Sequence, residues 1–206
     1  RAIVVVLGLP AGDASFVTQL ATMRELQIYF QAAEPAQVRA VQEAADEAGL
    51  LGRSVFVDSG DLQSVHLSHN VADAVIVDLS VADQISEDEV LRVLNPYGGA
   101  LIGGRRLTKP VPDGSDDWSH PYHGPDNNPQ SQDEQVRGSF QTQFIAAPKF
   151  SPMPEQSVVA GGRIYKAMGH IAHKANQNEM LNTLLCINAF NGTIMWKRPL
   201  PEGFMI

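Results

Sequence analysis

Hydrophobic and polar positions divide the chain into stretches with different periods. "AIVVVLGL" (2–9) is a continuous apolar run, as expected of a strand buried on both faces. "ASFVTQLATMRE" (14–25) fits a helix, and "LQIYFQAA" (26–33) a second strand. "PAQVRAVQEAADEAGL" (35–50) predicts a helix: Pro35 suits its first turn, Val38, Val41 and Ala45 share one face, and Gly49 suits its stop. "SVFVDSGD" (54–61) and "ADAVIVDL" (72–79) read as the third and fourth strands. "SEDEVLRVLN" (86–95) is a helix opened by a capping signal, Ser86 with Glu89 in the N3 place. "GGALIGG" (98–104) reads as a fifth strand. Alternation of this kind over residues 1–107 predicts an α/β domain, a Rossmann-like parallel sheet with helices on both faces.

The pattern then changes. Residues 108–154 are rich in Pro, Gly, Asp and Asn, have no period, and read as an ordered linker. Residues 155–206 read as β. "QSVVAGGRIYKAMG" (156–169) is strand, Gly-Gly turn, strand, and "LNTLLCINAFNGTIMWKRPL" (181–200) repeats the form around Asn191-Gly192. Regular short strands with Gly turns point to a sandwich, a barrel or a propeller blade.

Composition narrows the partners. With a net charge of −8 and no run of five basic residues, the 206-residue chain lacks the footprint of a nucleic-acid binder. No apolar run approaches the roughly 20 residues of a membrane span. The single cysteine, Cys186, excludes an internal disulfide and a multi-thiolate zinc site. Its apolar setting predicts a buried, inert thiol. A chain that opens on Arg1 and runs almost at once into a strand is expected to be a piece of a longer precursor.

"VLGLPAGDASFVTQLA" (6–21), the second strand and helix, "VFVDSGDL", "ADAVIVDL" and "EVLRVLNPYGGALI" follow one another as in the class I S-adenosylmethionine-dependent methyltransferases, which residues 1–107 resemble nearly without gaps. The Pro-x-Gly-Gly segment, 96–99, is the most specific match. The resemblance implies a cofactor cradle at the first turn, where Gly8, Gly12, Glu34 and Asp61 are the candidate cofactor-binding residues. Gly8 stands where the family often has an acid ending the first strand. Of the turn's three glycines only Gly12 is present; Pro10 and Ala14 hold the other places. The carboxylate that grips the ribose hydroxyls aligns with Ala32, and Glu34, two residues on, is its substitute. Asp61 matches the acid that faces the adenine. No catalytic residue is assigned, because "DLSVADQIS" after the fourth strand lacks an Asn-Pro-Pro type signature. The expected role is therefore a degenerate methyltransferase-like domain that binds or scaffolds, with an active S-adenosylmethionine-dependent methyltransferase as the alternative.

"INAFNGTIMWKRPL" resembles the pyrroloquinoline-quinone repeat of quinoprotein-type propellers, with Asn188, Ala189, Asn191, Gly192 and Trp196 in pattern and Asn188 in place of Asp. The whole order is similar to a group of bacterial proteins frequent in planctomycetes, whose junction repeats Trp118, His120, His123, Asn127 and Asn128. That resemblance implies the start of a first blade, a partner in the rest of the propeller, pyrroloquinoline quinone only in a complete ring, and export from the cytoplasm. A quinoprotein dehydrogenase subunit is the second alternative. His120 and His123 are the candidate metal pair, with a loop pinned by His and Trp hydrogen bonds as the favoured reading and no metal assigned. His170 and His173 read as exposed loop, and Arg105 and Arg106 in "GGRR" as a solvated loop at the sheet's edge.

Overall fold

The computed structural model describes residues 2–23, 25–139, 141–147 and 154–201, the side chains of 154–156 excepted. The chain divides after Pro110 into two units. In the first, β1 (Ile3–Leu7), α1 (Ser15–Met23), β2 (Gln27–Ala32), α2 (Pro35–Glu47), β3 (Val55–Ser59), β4 (Ala72–Val77), α3 (Glu87–Val93), β5 (Leu94–Ile102) and β6 (Arg105–Thr108) follow in order. They build one sheet, β3-β2-β1-β4-β5-β6, parallel except for β6. The chain winds outward from β1 to β3, then crosses β1 to start again at β4. The strand order therefore reverses between β1 and β4.

Strand β1 explains why its sequence is a continuous apolar run. Val4 and Val6 pack with Ile28, Phe30, Val17, Val38 and Val41 on the face of α1 and α2. Val5 and Leu7 pack with Val75, Val77, Val90 and Val93 on the face of α3. Each such side chain contributes about 1.5–3 kcal/mol as an upper figure.

The crossing from β3 to β4, residues 60–71, carries no helix, so polar clamps hold it down. The Glu89 carboxylate accepts the Val65 N–H at 2.7 Å, and Arg92 donates to the carbonyls of Val65 and Leu67, each at 2.8 Å. Ser86 caps α3 by accepting the Glu89 N–H at 3.1 Å. The Glu89 side chain, however, reaches Val65 and Arg92 rather than back to the cap, so only half of the predicted capping box is drawn there.

The Pro-x-Gly-Gly segment becomes a bulge. Ala72 pairs with Leu94 and Ala74 with Gly99, so a single β4 residue faces four of β5. Tyr97 takes φ +68° to make it, and a Cβ on Gly98 would lie 2.8 Å from the Asn95 carbonyl oxygen. Strand β5 thus starts at Leu94, directly after α3, rather than at residue 98. The Lys109 ammonium seals the end of α3 by donating to the carbonyls of Leu91 and Leu94, where a cation complements the helix dipole. Arg105 and Arg106 form β6, antiparallel to β5, where the sequence suggested a loop; the Gly103-Gly104 turn, with φ of +52° and +91°, closes that hairpin.

The second unit is a four-stranded antiparallel meander, β7 (Pro154–Ala160), β8 (Arg163–Met168), β9 (Thr183–Asn188) and β10 (Ile194–Pro199), in the order β10-β9-β8-β7. Gly161 and Gly162, with φ of +57° and +71°, make the first hairpin turn. In the β9–β10 turn the Asn188 side-chain oxygen accepts the N–H groups of Phe190 and Asn191. Asn therefore does the turn-building work expected of Asp. A Cβ on Gly192 would meet Phe144 at 2.5 Å. Trp118 joins β7 through the Val159 N–H, which donates to its carbonyl at 2.7 Å.

Candidate functional site

Parallel sheets present ligand crevices beyond the carboxyl ends of their strands, where the order reverses. A cavity of about 110 Å³ lies there, lined by Gly8 after β1, Ala32, Ala33, Glu34 and Gln37 at the β2–α2 junction, Leu62 after β3, and Val81 and Gln84 after β4. Gly8 and Glu34 are thus brought together, while Gly12 and Asp61 lie outside this lining.

At the β2 end the cavity is bounded by small side chains and one carboxylate. Glu34 is the N-cap residue of α2, with Pro35 next to it in the first turn. Its Oε2 accepts from the Gln37 amide at 3.2 Å. Gln37 Oε1 is buried and has no hydrogen-bond partner among the described residues. An orphaned buried acceptor costs roughly 1–3 kcal/mol and calls for a donor. Ala32 and Ala33 leave space beside the carboxylate, and Leu62 supplies an apolar wall. A carboxylate beside small and apolar side chains suits a ligand that carries hydroxyl groups and an apolar face.

The β1 end is different. Gly8 has φ +76°, and a Cβ there would lie 2.7 Å from Val81 Cγ2 and 3.3 Å from Asp78 Cβ. Val81 comes from the short 3-10 turn Leu79–Val81, whose cap is Asp78. The Asp78 carboxylate accepts the Ser80 N–H, and the Ser80 hydroxyl beside it contributes most to holding its pKa below the usual carboxylate range. The turn Pro10–Gly12 follows β1, with φ +72° at Gly12 and no heavy atom within 4 Å of a Cβ built there. So Gly12 serves its turn through backbone conformation, whereas Gly8 also serves close packing. Val81 and Gly8 thus pack closely where they line the β1 end of the cavity.

Asp61 accepts the Gln63 N–H at 3.0 Å, a local turn within its own loop. The residue that positions this loop is Gln31, which carries no periodicity signal beyond being polar inside a buried strand. It is wholly buried. Its amide nitrogen donates to the carbonyls of Asp61 and Ser64 at 2.7 and 2.9 Å, and its oxygen accepts the Tyr29 hydroxyl and the His66 N–H at 2.9 and 3.0 Å. Leu62 sits between the two carbonyls that Gln31 holds. Beyond it, Asp58 Oδ2 bridges Tyr29 and His66, at 3.0 and 2.9 Å. The His66 contact is the main reason the Asp58 carboxyl is held below its usual range, and burial with Asp58 nearby pushes the Tyr29 phenol well up.

In the second unit, His123 Nε2 meets Asp116 Oδ2 at 2.7 Å and its ring stands edge-on to Trp118. His120 Nδ1 meets the Ser119 hydroxyl at 2.9 Å. Asp116 also accepts the Gln132 N–H at 2.7 Å, which contributes most to holding its carboxyl below the usual range. Among the described residues no group of three or more His, Cys, Asp or Glu side chains gathers to hold a metal. Cys186 is buried, and that burial raises its thiol pKa. No helix among the described residues is long and apolar enough to cross a membrane.

No protein-family model matches the chain, and no curated protein matches it. Among solved structures it is similar to an S-adenosylmethionine-dependent methyltransferase from Aquifex aeolicus, at 21% identity over 48% of this chain and 54% of that one, with a TM-score of 0.41. A putative sarcosine dimethylglycine methyltransferase from Galdieria sulphuraria gives 23% identity, 48% and 38% coverage, and a TM-score of 0.41. A putative S-adenosyl-L-methionine-dependent methyltransferase from Methanococcus maripaludis gives 20%, 50%, 49% and 0.40 in the same order. The chain spans about half or less of the length of these structures. The first unit is a Rossmann-like α/β domain by its own strand order, with a crevice where that order reverses.

Proposed function

We propose that residues 1–110 form an S-adenosylmethionine-binding domain of the methyltransferase type. The observation that carries this is the crevice at the β1/β4 reversal, with the Glu34 carboxylate at the end of β2. The cofactor class comes from the resemblance of the five strand-and-turn segments. Glu34 would accept the ribose hydroxyls in place of the acid that Ala32 lacks. The orphaned Gln37 oxygen offers a further acceptor nearby. Titration calorimetry with S-adenosylhomocysteine tests this. Charge-assisted hydrogen bonds of about 1.5–3 kcal/mol predict that Glu34→Ala weakens binding at least about tenfold. Equal affinity in both proteins would remove Glu34 from the site.

The second reading is a degenerate domain that acts as a scaffold. It is favoured by Val81 on Gly8 and by the local engagement of Asp61 and Asp78. Absence of any S-adenosylhomocysteine binding at millimolar concentration leaves this reading alone.

For the second unit we infer a quinoprotein-type blade, supported by the Asn188-to-Trp196 hairpin, whose Trp196 ring lies 6.1 Å from Tyr165 and under the Arg198 guanidinium. Its partner would be the rest of a propeller in an exported protein, with a quinone bound only by the complete ring. A protein containing all blades, mixed with pyrroloquinoline quinone, should then show the bound quinone's absorption; an unchanged spectrum of free quinone refutes the quinone part.

A further inference from the structure

An acid at the end of the second strand accepts a ribose hydroxyl of a dinucleotide as readily as that of a nucleoside. Glu34 by itself therefore does not say what the ligand's 5′ carbon carries. The first βα turn does, because a pyrophosphate in this fold type rests on that turn and on the N-terminus of the helix that follows.

Here the donors of that turn are spent within the chain. Pro10 has no N–H to offer. The Gly12 N–H donates to the Leu9 carbonyl at 3.1 Å, and the Asp13 N–H to that of Pro10 at 3.0 Å. At the start of α1 the Ser15 N–H donates to Asp13 Oδ1 and the Ser15 hydroxyl to Asp13 Oδ2, each at 2.9 Å. The Phe16 and Val17 N–H groups donate to the carbonyls of Asp13 and Ala14. The anion at this helix end is thus the chain's own carboxylate, in the place that the helix dipole favours.

We infer that the crevice takes a nucleoside whose 5′ substituent bears no phosphate, and that Asp13 is the specificity-determining residue that excludes phosphorylated ligands. This rests on the cofactor reading above.

Two further features support the assignment. Among the described residues that line the cavity none is Lys or Arg, and Glu34 brings a negative charge, so nothing in the lining offsets a phosphate. The turn also folds back on itself. Leu9, which accepts the Gly12 N–H, is the neighbour of Gly8, and Gly8 lines the cavity. Asp13 therefore stays close to the β1 end of the crevice, near enough for its charge to act on a ligand there before salt screens it.

The test compares adenosine with adenosine 5′-monophosphate by calorimetry, in the wild-type chain and in Asp13→Ser. Serine caps a helix about as well as aspartate, so the variant removes the charge and keeps the turn. The ratio of the two affinities is the readout, because a general loss of fold weakens both ligands alike. Like-charge repulsion predicts that the wild-type protein binds adenosine at least about tenfold more tightly than the monophosphate. Asp13→Ser is expected to narrow that ratio at least about threefold. Raising the ionic strength from about 0.02 M to about 0.5 M should narrow the wild-type ratio as well, which a purely structural role of Asp13 would not do. A wild-type ratio within about threefold, or a ratio that neither Asp13→Ser nor salt changes, overturns the inference and leaves the cofactor reading standing. If neither adenosine nor S-adenosylhomocysteine binds, the cofactor reading fails and the inference falls with it.

Discussion

Gln31→Leu should destabilise the first unit by roughly 3 kcal/mol. The substitution removes an amide whose two donor and two acceptor contacts are all in use. It leaves the carbonyls of Asp61 and Ser64 and the N–H of His66 without their partner, at about 1 kcal/mol or more each. Tyr29 keeps its bond to Asp58, so its hydroxyl is not orphaned. The leucine itself fits the volume, and cavity formation adds little. Urea unfolding followed by circular dichroism should show a lower midpoint with an unchanged slope. On heating, the midpoint should fall by more than about 10 °C for a unit of this size. A loss under 1 kcal/mol would mean that the loop 60–66 is held mainly by the burial of Leu62 and Val65 and by the Glu89 and Arg92 clamps on Val65. Tyr29→Phe is the useful partner variant, with an expected loss of about 1 kcal/mol, because it removes one hydroxyl from the same network.

Gly8→Val should cost about as much, by a different route. At φ +76° a side chain meets the backbone strain of the left-handed region, roughly 1–2 kcal/mol. The added atoms also press on the Val81 methyl, and overpacking of this kind costs typically about 1–3 kcal/mol. The sum is about 3 kcal/mol, read from the same urea unfolding. Gly12→Ala separates the two contributions. Its φ is +72°, but nothing stands within 4 Å of the new Cβ. Only strain remains, and the expected loss is about 1 kcal/mol. Equal losses at the two glycines would show that Val81 yields freely.

The two glycines show how much of the site was legible from the chain. Both are punctuation after an apolar run, and in sequence they look alike. Their difference lies in Val81, about seventy positions away, which no local pattern connects to Gly8. Glu34 was legible as the residue beside Pro35 at a helix start, and the structure puts it on the crevice wall. Asp61 matched a family position, but its carboxylate is turned to its own loop. Gln31 stood in plain view between Phe30 and Ala32. A polar side chain within a strand buried on both faces signals a satisfied network, yet three of its four partners, at Asp61, Ser64 and His66, come from a loop about thirty residues on, which a strand pattern cannot name.

What the sequence determined by itself is the set of elements and their faces. The run Val4–Leu7 had to be a strand covered on both sides, and Val38, Val41 and Ala45 had to turn one helix face inward. Ser86 had to start a helix, and Asn188 with Gly192 had to close a hairpin. These follow from backbone sterics and side-chain period, which act over a few residues. What only the tertiary structure decided is where distant groups meet. Glu89 left its own capping box for Val65 and Arg92 because the helix-free crossing needed a clamp. Arg105 and Arg106 became an edge strand because β5 offered free backbone groups beside a Gly-Gly turn. Val81 reached Gly8 because the β1/β4 reversal brings the ends of those strands side by side. Contacts of that length depend on the closed sheet, and no window of sequence contains them.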